Sequence, residues 1–307
     1  MRKIKAFIRS GKNALIHLLQ NDPLRMAGAT AFFTIFALPP ILILLVQVFK
    51  WIIGPDVIRH QLFLKLSDMF GVEAVRQLVG VLKAIRNLSD NPFVTIGGFI
   101  FLLFVITTLF RVFKNSINQL WQIKSKGKVS FMSNIRSRLQ ALLVLMVAGI
   151  LFITGFAAET LQALVGNYIF KLSPQASVLF NMVLTQAISI TIITCWFTIV
   201  FRYLPDGRPA WRIAWLGGFI TSILFAVGKS VMHTLLTYSN VNTIYGTSAS
   251  IVLLLLFVFY SALILYYGAS FTWVWARHRS RPIKPLEHAV HYKLVATDVD
   301  NNAQPGM

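Results

Sequence analysis

Residues 215–238 read "WLGGFITSILFAVGKSVMHTLLTY". Only Lys229 and His233 in this stretch carry charge, or come close to carrying it, near neutral pH. A helix that crosses the hydrocarbon core needs about 20 predominantly apolar residues, and this stretch is long enough. Its composition therefore decides the class of the chain. Of the 307 residues, 56% are hydrophobic and 13% charged, with a mean hydropathy of +0.68. Soluble domains carry roughly 25% charged residues. The expected fold is an all-α, polytopic membrane helix bundle with amphipathic interfacial helices.

Working outward, six segments have the length and apolarity of spans: roughly 24–49, 93–113, 139–162, 177–201, 212–236 and 247–276. Three of them begin with a capping residue followed by proline at the first helical position: Asp22–Pro23, Asn91–Pro92 and Ser173–Pro174. Pro39 and Pro40 fall inside the first span, where their missing donors predict a kink or break, and hence a hinge.

The net charge of +19 would by itself suggest a nucleic-acid partner. The distribution of the charges argues otherwise. Of the 29 Lys and Arg residues, 21 lie in 1–25, 111–138, 202–212 and the tail from 277, all on one side of a six-span topology. That bias predicts a cytoplasmic location for both termini and no nucleic-acid binding. Residues 1–22 form an amphipathic segment suited to an anionic inner leaflet. The spans occupy 23–276, with amphipathic helices at about 56–90 on the opposite side, and 277–307 form a basic and then disordered tail. The lone Cys195 lies in an apolar run and reads as packing.

No phosphate-binding loop, metal-ligand spacing or acid–base pair stands out. "EHAVH" at 287–291 is the one His/Glu cluster and reads as solvated tail. No enzyme activity and no cofactor or metal are expected. The candidate binding residues come from the spans. Ala214, Gly218, Ser222, Ala226 and Ser230 form a small-residue stripe that should pack against protein. Ser222, Lys229 and His233 share a face beside it. Two readings stand for Lys229: pairing with Glu159 or snorkelling, and contact with a substrate phosphate or ion. A second polar line, Thr107, Thr108, Arg111, Asn115 and Asn118, ends the second span. Arg111 and Lys114 there read as anchoring charges or, with Asn115, as an inner-leaflet headgroup site.

Several stretches resemble the YihY/BrkB family of bacterial inner-membrane proteins. They are "AGATAFFTIFALPPILILL" (27–45), "NSINQLW" (115–121), "FRYLPDGRPAWRIAWLGGFITSILF" (201–225) and "YGTSASIVLLLLFVFYSALILYYGAS" (245–270). The resemblance implies an inner-membrane location and, through the family's association with lipid traffic, a lipid-handling role. The ribonuclease label the family once bore finds no catalytic set here. Two positions depart from the family pattern: Ser270 stands where Glu is usual after the closing Gly-Ala, and Phe257 where Trp is common. The expected function is non-enzymatic transport or leaflet transfer of an anionic lipid or amphiphile. The expected partners are membrane lipids with anionic headgroups, with a homo-oligomer as a further possibility. The alternatives are a scaffold or regulatory membrane protein that moves nothing, and an ion or small-solute transporter.

Overall fold

A computed structural model describes residues 2–53, 63–64, 67, 75–76, 79–80, 92–126, 143–144, 146–151, 153–155, 157–158, 161–162, 165, 174–238 and 249–293. Six long helices organise them: α1 (Arg2–Leu19), α2 (Pro23–Ile53), α3 (Pro92–Leu120), α4 (Pro174–Tyr203), α5 (Trp211–Tyr238) and α6 (Ala249–His278). Between α3 and α4, every described residue of 143–165 is helical as well. The proline starts expected at 23, 92 and 174 are the first residues of α2, α3 and α4.

The chain is an all-α membrane protein. Among the described residues, three helical stretches have the length and apolarity to cross a membrane: Phe180–Tyr203, Trp211–Val231 and Ile251–His278. The outer surface fits that setting. On α5, Trp211, Trp215, Phe219, Ile223, Val227 and Val231, each four residues apart, are all exposed. Phe32 and Phe36 on α2, and Ile100, Phe101 and Phe104 on α3, form similar outward patches. A water-soluble monomer rarely exposes apolar rows this long.

Close backbone approach organises α4, α5 and α6. A Cβ on Gly218 would lie 2.8 Å from the Thr194 carbonyl oxygen and 2.9 Å from the Thr198 nitrogen, so α5 sits on α4 with no room for a side chain. Beside that contact the Thr194 and Ser222 hydroxyls lie 2.8 Å apart. Ala214, Gly218 and Ser222 are buried, as the small-residue stripe predicts, whereas Ser230 is exposed. The stripe thus forms a packing seam over its first half. At the other side of α5, Gly217 and Gly268 admit the Thr272 and Thr221 side chains of α6 and α5, respectively.

Two expectations change, and a third lies largely outside the described residues. The helix runs unbroken through Pro39 and Pro40, because an isolated pair of missing donors does not interrupt the ladder on both sides of it. The stretch 283–291 of the tail is folded rather than solvated. Residues 284–285 form β3 and 289–291 form β4, which pair antiparallel with β2 (Gly207–Arg208) and β1 (Ile123–Ser125). Ile283 and Ala289 are buried there with Trp121, Leu120 and Leu204; residues 294–307 lie outside the described residues. Finally, most of 56–90 also lies outside them. Of its apolar stripe, Val75 and Val79 pack with Leu254, Phe257 and Val258 of α6, while Arg76 is exposed.

Candidate functional site

The segments assigned to one membrane side by their basic residues meet at one end of the bundle. The His17 Nε2–H of α1 donates to the Leu120 carbonyl of α3 at 2.8 Å. The Ser270 hydroxyl of α6 donates to the Ala14 carbonyl at 2.7 Å, and Trp121 Nε1–H donates to the Ala269 carbonyl at 2.9 Å. Ser270 therefore joins α6 to α1 without any carboxylate.

At the centre of this end is Asp206, in the turn between α4 and α5. Its Oδ1 accepts from Lys114 Nζ at 2.8 Å and from His288 Nε2 at 2.9 Å. Its Oδ2 accepts from Asn118 Nδ2, and Asn118 Oδ1 in turn accepts from the Asp206 backbone N–H, both at 2.8 Å. The Asp206 carbonyl accepts from the Leu286 N–H at 2.8 Å. Burial would raise the carboxyl pKa, but the Lys114 bond, the His288 bond, the Lys114 charge and the Asn118 bond together hold it below the ordinary aspartate range. An ionised carboxylate saturated in this way is a poor general base. Its role is to join α3, the α4–α5 turn and the tail.

Sequence reasoning missed this hub. The polar line on α3 splits into two faces. Lys114 and Asn118 turn inward to Asp206, while Arg111 and Asn115 are exposed. The reading of Lys114 as an anchoring charge is thus corrected, as is that of "EHAVH" as solvated tail. Thr107 and Thr108 donate back to the Phe104 carbonyl, at 3.0 and 2.8 Å, and so need no other partner. A signal was available: Asn118 and Trp121 lie in "NSINQLW", Asp206 in "YLPD", and Ala269 in the closing Gly-Ala. Three of the four stretches that carry the family resemblance converge on one cluster.

Lys229 and Ser222 stand seven residues apart on α5, nearly in line along the helix. Ser222 is fully buried against α4. The exposed row ending in Val227 and Val231 lies about 160° around the helix from Lys229. Lys229 is therefore on the protein-facing side of α5 and is partly buried. The His233 side chain and Glu159 lie outside the described residues, and the expected Lys229–Glu159 pairing falls there with them. Among the described residues no three His, Cys, Asp or Glu side chains gather as a metal site.

Residues 14–291 match the family described as Virulence factor BrkB. Curated relatives are named UPF0761 membrane protein. The one from Teredinibacter turnerae is 25% identical over 83% of this chain and 57% of its own length. That from Chromohalobacter salexigens is 24% identical over 91% of this chain and 66% of its own. That from Tolumonas auensis is 22% identical over 80% and 78%. The chain thus spans less than two thirds of the first two relatives. No solved structure matches it. With the match running from α1 to β4, the chain belongs to the BrkB family of membrane proteins.

Proposed function

We propose that this chain transfers an anionic amphiphile, a phospholipid or glycolipid precursor, between membrane leaflets without enzymatic chemistry. In this reading it is a six-span protein of the bacterial inner membrane with both termini cytoplasmic, and its partners are anionic lipids. The supporting observation is the position of Lys229 on the protein-facing side of α5, opposite the lipid-exposed row. A lysine at hydrocarbon depth costs about 2.5–3.5 kcal/mol on insertion scales. A cation kept on an inward face at that cost is suited to a phosphate passing through the bundle. His233 extends the same face outward by one turn. Ser222 closes that face inward, its hydroxyl held between Thr194 and the Phe219 carbonyl, and Arg111 with Asn115 supplies exposed donors at the other leaflet. Pro39 and Pro40 leave two carbonyls of α2 without intrahelical donors, which lowers the cost of bending there.

The test is transfer of a fluorescent anionic phospholipid in proteoliposomes, with wild type compared with Lys229→Met. The reading expects protein-dependent transfer that the substitution suppresses. Transfer no faster than in empty liposomes would favour a scaffold, which moves nothing. Flux of a small ion without lipid transfer would favour an ion transporter.

A further inference from the structure

A cleft of about 420 Å³ opens between α1 and the end of α6. One wall carries Arg9, Asn13 and His17, spaced four apart along a single face of α1, and the other carries Trp273, Arg277 and His278. None of these six is an acid, and among the described residues no carboxylate lies within salt-bridge reach of Arg9 or Arg277. The cleft therefore carries two guanidinium donors, Arg9 and Arg277, and the neutral amide donor of Asn13.

The wall is also held in shape. The Trp273 ring is 9% exposed. The His17 ring stacks on it at 4.1 Å with 6° between the planes, and the Arg277 guanidinium lies 3.9 Å from its centroid. Stacking on an aromatic face fixes a guanidinium's plane, so less freedom is lost when it binds an oxyanion. The Nε2–H of His17 is committed to Leu120, which leaves Nδ1 as the ring's other polar atom. Beneath the cleft, Ser270 and Tyr267 tie the backbone of α1 to α6 at Ala14 and Gly11, at 2.7 and 3.2 Å.

We propose that this cleft binds the phosphate of an anionic glycerophospholipid headgroup, with Arg9 and Arg277 as the charge-bearing donors and Asn13 as a neutral one. A planar guanidinium pairs with two phosphate oxygens at once, and two of them on facing walls suit a phosphodiester. The lipid is favoured over a free phosphate by the rest of α1. Ile8, Leu15 and Leu19 form an exposed apolar row on the same helix, with Lys5 exposed beside it. A helix so patterned lies at the headgroup level with its apolar row in the acyl boundary, so the cleft opens among lipid headgroups. The site deepens the transfer reading by giving it a headgroup station, yet it is a binding claim and stands or falls on binding.

The experiment is titration of the purified full chain in detergent, followed by calorimetry. The probes are dioctanoyl phosphatidylglycerol, dioctanoyl phosphatidylcholine and inorganic phosphate. The expected result is saturable binding of the phosphatidylglycerol, weakened at least about tenfold in Arg9→Gln and in Arg277→Gln. Lys12→Gln, which removes the same charge from α1 outside the cleft, should bind as wild type does. Thermal melting confirms that each variant is folded, and Arg277→Lys should recover only part of the loss because lysine lacks the fork. Equal weakening by Lys12→Gln would reduce the effect to surface charge and overturn the proposal. So would equal binding of phosphatidylcholine, or inorganic phosphate binding as tightly as the lipid. Binding without flux in proteoliposomes would sink the transfer reading alone, and flux that survives both arginine substitutions without binding would sink this site alone.

Discussion

Asp206 Oδ1 lies 2.8 Å from Lys114 Nζ, with the two side chains only 5% and 14% exposed. This buried pair joins α3 to the α4–α5 turn, and His288 brings the tail to the same oxygen. Removing one member of a buried ion pair typically costs about 3–5 kcal/mol, because the other is left uncompensated. Asp206→Asn should therefore lower the melting temperature of the detergent-solubilised protein by several degrees and expose the tail to protease. The carboxyl is held below its ordinary value of 3.8, so its contribution is complete above that value. It is lost as the pH falls through the lower, folded-state value. The wild type should show this acid limb and Asp206→Asn should not.

His17 titrates in the opposite chemical sense but also favours higher pH. Burial lowers its pKa from 6.5, the Leu120 bond opposes that shift, and the Arg277 charge adds to it. The unfolded chain then binds the proton more readily, so stability declines as the pH drops below 6.5 toward the folded-state value. In His17→Asn this part of the pH dependence should flatten. Melting curves of the two proteins between pH 5 and pH 7.5, taken as differences, check it; that range is chosen to bracket the ordinary imidazole value of about 6.5.

Gly218→Ala should weaken the α4–α5 seam. The added methyl meets the backbone of α4 at 2.8 and 2.9 Å, and helix backbones separate only by losing contacts along the whole seam. Overpacking of this kind costs about 1–3 kcal/mol. Gly28→Ala on α2 is the control: nothing lies within 4 Å of its Cβ position, and a helical alanine gains about 0.5–1 kcal/mol over glycine. Thermal melting of the two variants should move in opposite directions.

Truncation after Arg281 should destabilise the end of the bundle rather than merely remove a tail. It deletes Ile283 and Ala289 from the core, takes His288 from Asp206 and unpairs β1 and β2. Hydrogen exchange at the amides of 121–126 and 204–208 should rise. Unchanged exchange would mean that β3 and β4 contribute nothing to that end.

Three of the expected spans, the proline starts and the first half of the small-residue stripe were legible in the sequence because each depends on local chemistry. Apolar length, a missing donor and a missing side chain act within one helix. The Asp206 hub was not legible in that way. Its members come from α3, the 204–206 turn and the tail, 88 and 82 residues apart along the chain. No periodicity links them, and only folding shows that the single acid of "YLPD" faces a lysine and a histidine. The arginine cleft was hidden for the same reason: α1 and the end of α6 each read as ordinary basic flanks. Lys229 is intermediate. Periodicity gave its face, while a partner for it depends on contacts between helices.

The most direct test of the transfer account is the rate at which a fluorescent phosphatidylglycerol becomes accessible to a membrane-impermeant quencher in proteoliposomes. Wild type, Lys229→Met and empty vesicles are compared, with melting temperatures confirming folded protein. A lost charge-assisted contact of about 1.5–3 kcal/mol corresponds to roughly a 10- to 100-fold slower step. The account predicts fast transfer by wild type and a loss of that size in Lys229→Met. Transfer at the empty-vesicle rate by folded wild-type protein, or an equal rate in the substituted protein, would contradict it.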